Sequence, residues 1–149
     1  ESKHMTMIEN ISRLSYSMYL NEEAYNALKQ MYDDLYKNTK KRFLVTSAYK
    51  SYDVLNLEEN TSQAGYSEFQ LGTSVSLKVN GIKDVEFVST DVYQWLLEHS
   101  YEYGYVLRYP SDKVTITQKE SCNIFRYVGK ENAQKMHNQN LCLEELNNQ

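Results

Sequence analysis

The clearest helical pattern of apolar residues begins just after Asn21. Asn21 is a favourable N-cap residue, and the two glutamates that follow it suit the first turn of a helix, where the helix dipole favours negative charge. Downstream, apolar residues recur three or four positions apart, at Ala24, Leu28, Met31 and Leu35. This spacing predicts an amphipathic helix that buries one face.

Alternation of apolar and polar residues predicts strands at residues 43–49 and 74–79. The second stretch is the more regular, because Val75, Leu77 and Val79 share one face while the residues between them are polar. Residues 114–117 and 124–128 are rich in β-branched side chains. We therefore expect these last two stretches to pair as a hairpin.

Shorter helical patterns complete the chain. We predict a helix within residues 51–60, another that is capped by Ser89 or Thr90 and ends before Gly104, and closing helices that include residues 141–146. Together these elements predict an α+β fold in which a central antiparallel sheet is flanked by helices. The length of 149 residues fits one domain, which we place at residues 6–149, and we interpret residues 1–5 as a cloning remnant.

Composition and charge exclude several classes of protein. The net charge of -4 argues against a general nucleic-acid binder, which would carry a basic stripe. No apolar run approaches the ~20 residues of a membrane span, and no signal peptide is visible. Cys122 and Cys142 do not make a disulfide framework, and the sequence leaves open whether they pair.

A motif at residues 64–77 carries the strongest functional signal. It reads A-G-Y-S-E-F-Q-L-G-T-S-V-S-L. It resembles the signature of the VanY-like zinc D,D-carboxypeptidases, close to G-H-S-E-H-Q-x-G-x-A-x-D, which belongs to bacterial enzymes that trim cell-wall stem peptides. The runs W-L-L-E-H from Trp95 and Y-G-Y-V-L-R-Y-P from Tyr103 also resemble that family, in the same order and spacing. The resemblance implies the peptidase M15B, or LAS-type, fold.

The positions that carry the chemistry in that family hold other residues here. The resemblance places Phe69 and Ser76 at two zinc ligands, Ile124 at the third, and Ser121 at the general base. Zinc needs nitrogen, sulfur or anionic oxygen donors, so we predict a vestigial site with no metal, no cofactor and no catalytic residue. Phe69 and Ile124 would then either bury each other as plugs or line an apolar subsite. Ser76 and Ser121 would either bond to each other or hold water.

The turn that follows residues 43–49 resembles the family's substrate-carboxylate turn, with Lys50 in place of an arginine. Lysine keeps the charge but lacks the bidentate fork of a guanidinium. We expect Glu68 to hold its loop through backbone partners. The candidate peptide-binding residues are Tyr49, Lys50, Tyr52, Ser67 and Gln70.

Two functions are compatible with this sequence. The first is an inactive VanY-like pseudoenzyme that serves as a binding or scaffolding module, with a cell-envelope protein or a peptidoglycan stem peptide as its partner. The alternative is an active D,D- or L,D-carboxypeptidase with a non-standard site. The resemblance implies the extracytoplasmic face of a bacterial envelope, with membrane attachment only through an anchor outside this sequence. Missing zinc ligands favour the first function.

Overall fold

In the computed structural model, which describes residues 4–50 and 68–149, six strands form two antiparallel sheets. The strands are β1 (Met5–Met7), β2 (Tyr19–Asn21), β3 (Leu44–Ser47), β4 (Ser74–Lys78), β5 (Tyr105–Tyr109) and β6 (Ser121–Tyr127). β1 and β2 pair with each other, and the other four form the central sheet in the order β3-β4-β6-β5. The predicted α+β fold with a central antiparallel sheet is confirmed.

Helices flank this sheet. They are α1 (Glu22–Thr39), α2 (Asp84–Phe87), α3 (Asp91–His99), α4 (Val114–Thr117), α5 (Lys130–Gln139) and α6 (Leu143–Asn147), with short 3₁₀ turns at Ser100–Tyr103 and Ser111–Lys113. Among the described residues, none of these helices has the length and apolar character needed to cross a membrane. The helix predicted within residues 51–60 lies outside the described residues.

The first helix forms as its sequence predicts. The side chain of Asn21 accepts a hydrogen bond from the backbone N–H of Ala24 at 2.9 Å, which caps one of the unpaired donors of the first turn. The four predicted apolar positions are all buried. The helix ends where Lys40 adopts a left-handed conformation with φ 63°. Local capping and one apolar face therefore account for this element.

The central strand β4 separates two unlike faces of the sheet. Val75 and Leu77 are fully buried and belong to the main core, together with Phe125 of β6. The other face of β4 carries Ser74 and Ser76, which are also buried although they are polar. We call this second side the polar face. Because buried polar groups need hydrogen-bond partners, it is the face where a functional site is expected.

The predicted hairpin at the end of the chain is wrong in one partner. Val114–Thr117 forms the short helix α4, and the strand that pairs with β6 is β5. β6 already has β4 on one side and β5 on the other, so a β-branched segment finds no free position beside it. Val114 and Ile116 are instead partly exposed on the surface. Tertiary pairing has overridden local β propensity here.

The small sheet holds the turn that leads into β4. The backbone N–H of Asn21 donates to the carbonyl of Gly72 at 2.8 Å. Gly72 has φ 75°, and a Cβ atom placed on it would lie 2.4 Å from Cε of Met5 in β1. The left-handed backbone favours glycine here, and any larger residue would also have to displace the end of the Met5 side chain. β1 and β2 seat this turn against the body of the domain.

Candidate functional site

Two of the four vestigial positions face each other across the sheet. β4 and β6 pair so that Ser76 lies directly opposite Ile124. Directly opposed residues share one face of an antiparallel pair, so both side chains lie on the polar face. Each is only 8% exposed. The structure thus brings Ser76 and Ile124 together as the resemblance implied.

The two serines each bond to a different neighbour. Thr46 donates its hydroxyl hydrogen bond to Oγ of Ser76 at 3.0 Å. Oγ of Ser121 donates to the side-chain oxygen of Asn123 at 2.9 Å. The hydrogen bond between Ser76 and Ser121 that the sequence left open is therefore not formed. Both hydroxyls have protein partners at the vestigial positions.

Phe69 lies in the turn that precedes β4. Its backbone carbonyl accepts a hydrogen bond from the N–H of Gly72 at 3.2 Å, and its side chain is half-buried. Ile124 is the more deeply buried of the two predicted plugs. Mutual burial of Phe69 and Ile124 stays a prediction.

These residues do not fit a zinc ion. The side chains of Phe69 and Ile124 have no lone pair to donate, and the hydroxyl of Ser76 is a poor ligand that already accepts from Thr46. Within residues 4–50 and 68–149, no group of three or more His, Cys, Asp or Glu side chains could hold a metal ion. Cys122 and Cys142 are free thiols, and burial raises the pKa of both.

The strongest polar cluster centres on Glu68. Ser74 donates to its carboxylate at 2.5 Å, Arg126 at 2.7 Å and the hydroxyl of Tyr109 at 3.2 Å. Nε of Arg108 lies 3.4 Å from Oε1, the oxygen that accepts from Tyr109. Four side chains from β4, β5 and β6 therefore surround one carboxylate that is itself only 6% exposed. The expectation that Glu68 has backbone partners is wrong, since all of these contacts are to side chains.

Charge compensation keeps Glu68 ionised. Burial alone would raise its pKa, but the hydrogen bond from Ser74 and the positive charges of Arg126 and Arg108 outweigh it, so the pKa lies below its ordinary value. The same cluster raises the pKa of Tyr109, through burial first and the charge of Glu68 second. Arg108 also forms a two-pronged ion pair with Glu144 of α6. The site is thus built around compensated charge.

The candidate peptide-binding residues are only partly covered by the structure. Tyr49 is held in an antiparallel bridge, since its N–H donates to the carbonyl of Tyr19 at 3.1 Å and its own carbonyl accepts from the N–H of Tyr19 at 2.9 Å. Lys50 follows it and is half-buried, whereas Gln70 is exposed. Tyr52 and Ser67 lie outside the described residues.

Comparison with known proteins agrees with this geometry. The family model described as VanY, D-alanyl-D-alanine carboxypeptidase, matches residues 54–130. A D-alanyl-D-alanine carboxypeptidase of Enterococcus faecium is 32% identical over 152 residues, which cover 97% of this chain and 49% of that protein. The chain therefore spans about half the length of this curated relative.

Solved structures show the same fold. The structure of the LdcB LD-carboxypeptidase, which reveals the molecular basis of peptidoglycan recognition, matches with a TM-score of 0.83 and 29% identity, over 99% of this chain and 78% of that one. VanYB in complex with D-alanine-D-alanine matches with a TM-score of 0.72 and 26% identity, over 99% and 90% of the two chains.

Truncating the buried plug should destabilise the fold. We expect Ile124→Ala to lower the free energy of unfolding by ~2–5 kcal/mol, as a buried large-to-small change does. Ile116→Ala is the matched control. Because Ile116 is 42% exposed, this variant should lose much less free energy of unfolding. Urea unfolding followed by circular dichroism measures both. Equal stabilities of the Ile124 variant and the wild type would show that Ile124 is not packed.

Acid should unfold the protein in part by protonating Glu68. Its folded pKa lies below the ordinary 4.5, so its stabilising contribution is present above that pH and is lost as the pH falls through the folded pKa. Glu68→Gln should lower the free energy of unfolding at neutral pH by ~3 kcal/mol, because Arg126 loses its carboxylate partner and Arg108 keeps only Glu144. As the pH falls, the free energy of unfolding of the Glu68→Gln variant should decrease less steeply than that of the wild type. Urea midpoints across a pH series test this, and parallel curves would contradict it.

Proposed function

The chain belongs to the VanY D-alanyl-D-alanine carboxypeptidase family, and we propose that it is a member that binds its ligand without cleaving it. One observation carries this proposal. At the paired positions where the family resemblance requires zinc ligands, the polar face presents a buried isoleucine and a serine that accepts a hydrogen bond from Thr46. Neither side chain supplies the nitrogen, sulfur or anionic oxygen donor that a catalytic zinc ion needs.

Within residues 4–50 and 68–149, the vestigial site also shows no group placed to do the work of a metal. Hydrolysis of an amide needs a polarised carbonyl and a base that activates water. Ser121 stands at the base position, and its hydroxyl donates to Asn123. Cys122 is a poor nucleophile at neutral pH, because burial raises the pKa of its thiol. A peptide that enters this site would therefore leave it intact.

We propose a peptidoglycan stem peptide as the ligand. The structures of LdcB and of VanYB with D-alanine-D-alanine support this choice, because this chain shares their fold over nearly its whole length. The turn at Tyr49 and Lys50 would receive the peptide carboxylate, with the lysine supplying charge and Tyr49 supplying apolar surface. A binding test could instead identify a protein of the cell envelope as the ligand. Such ligands would place the domain on the extracytoplasmic face of a bacterial envelope.

The domain should release no D-alanine from a muropeptide that ends in D-alanyl-D-alanine. The assay incubates the purified chain with this substrate, with and without added zinc, and measures free D-alanine by mass spectrometry. The triple variant with Phe69→His, Ser76→Asp and Ile124→His should also be almost inactive, because Ser121 still provides no base and outer-shell partners are missing. Turnover by the wild type that a chelator abolishes would contradict the proposal.

Any stem-peptide binding should be modest and sensitive to salt. A single ammonium group at a partly exposed site gives weak attraction that ions screen over ~10 Å at 0.1 M salt. Calorimetric titration should therefore show weaker binding for Lys50→Ala and for the wild type at high salt. Lys135→Ala, on the exposed side of α5, is the control and should bind normally. Equal binding by all three proteins would move the site away from this turn.

A further inference from the structure

Two adjacent carboxylates fix the C-terminal helix α6 to the domain, Glu144 to strand β5 and Glu145 to the 3₁₀ turn Ser111–Lys113. Glu144 accepts from both terminal nitrogens of Arg108, each at 3.0 Å, and Glu145 lies 2.8 Å from Nζ of Lys113. The bidentate pair has a defined direction, whereas a lysine pair tolerates many geometries. Glu144 therefore sets the orientation of the Arg108 guanidinium, while Glu145 only attaches the helix.

The same guanidinium faces Glu68 on its other side. Nε of Arg108 lies 3.4 Å from the carboxylate of Glu68. This nitrogen is buried and makes no hydrogen bond within the part of the chain that the structure describes. Glu68 thus does not orient Arg108 through a well-aligned bond. The two bonds to Glu144 are what hold the positive charge against Glu68, at a side chain that is 11% exposed.

Glu68 in turn begins the turn that carries Phe69 and ends at Gly72. The hydrogen bond from the N–H of Gly72 to the carbonyl of Phe69 lies within this segment, which we call the site turn (residues 68–72). Only residues at its two ends are tied to the domain by the contacts described above: Glu68 through its carboxylate, and Gly72 through the small sheet. The position of the site turn therefore depends on how firmly Glu68 is held.

We propose that α6 positions the site turn through the relay Glu144–Arg108–Glu68. Glu144 and Arg108 are positioning residues in this relay, because they act on the site only through Glu68. Displacing α6 would loosen the turn that presents Phe69 and Gln70. The consequence for ligand binding rests on the proposed function, whereas the relay itself does not.

Hydrogen exchange tests the relay without any ligand. Amide exchange of the full chain is measured by mass spectrometry for the wild type, Glu144→Gln and Glu145→Gln, with urea unfolding in parallel to correct for global stability. We expect Glu144→Gln to raise exchange in residues 68–73 several-fold. Glu145→Gln removes the neighbouring ion pair of the same helix, so it should raise exchange only in and around α6.

A conservative substitution of Arg108, at the centre of the relay, provides a second hydrogen-exchange test. Arg108→Lys keeps the charge but loses the fork, so it should reproduce the effect of Glu144→Gln on residues 68–73. The proposal is overturned if Glu144→Gln leaves this segment unchanged or slows its exchange, or if Glu145→Gln speeds it equally. Failure of the wild type to bind a stem peptide would overturn the proposed function and leave the exchange result standing.

Discussion

The polar face of the sheet depends on the compensated charge of Glu68. A carboxylate that is 6% exposed would be strongly destabilising without partners, and Arg126 would lose its ion pair without Glu68, whereas Arg108 would keep its pair with Glu144. Together with Ser74 they join β4, β5 and β6 on the side of the sheet opposite the main core. This carboxylate therefore fixes the start of the site turn, while the small sheet holds its end at Gly72.

The side chains at two of the vestigial positions are accommodated within the sheet. Ser76 has a hydroxyl partner in Thr46, and Ile124 opposite it is buried. A buried aspartate at the serine position would need a cation or several donors to balance its charge, and the neutral serine does not. The register of β4 and β6 is independently fixed by the apolar pair Val75 and Phe125 on the core side. The sheet can thus keep the family's geometry with Ser76 and Ile124 at these two positions.

Sequence patterns predicted the elements that local chemistry controls. The cap at Asn21 and the buried face of α1 follow from neighbouring residues, as does the alternation in β4. Val114–Thr117 was predicted as a strand and is a helix, because the place beside β6 belongs to β5. Local β propensity does not determine which segment pairs with a given strand of the sheet.

In the candidate site, too, locally encoded features were predicted and long-range contacts were missed. The family resemblance placed Ser76 and Ile124 at two of the three zinc-ligand positions, and the sheet register sets them opposite each other. The partners of Glu68 were missed, since Arg126 and Arg108 are far along the chain and nothing in the local pattern links them. Two arginines within strands that carry mostly apolar and aromatic residues were the available signal, because a buried guanidinium needs an acidic partner.

Metal content is the most direct test of the proposal that this site does not bind zinc. The purified chain is incubated with excess zinc, dialysed against buffer without chelator, and analysed for bound metal by elemental analysis. The donor set at Phe69, Ser76 and Ile124 predicts far less than one zinc per chain. One equivalent of zinc that remains after dialysis, and that is lost in Ser76→Ala, would show that this site still binds metal and would contradict the account.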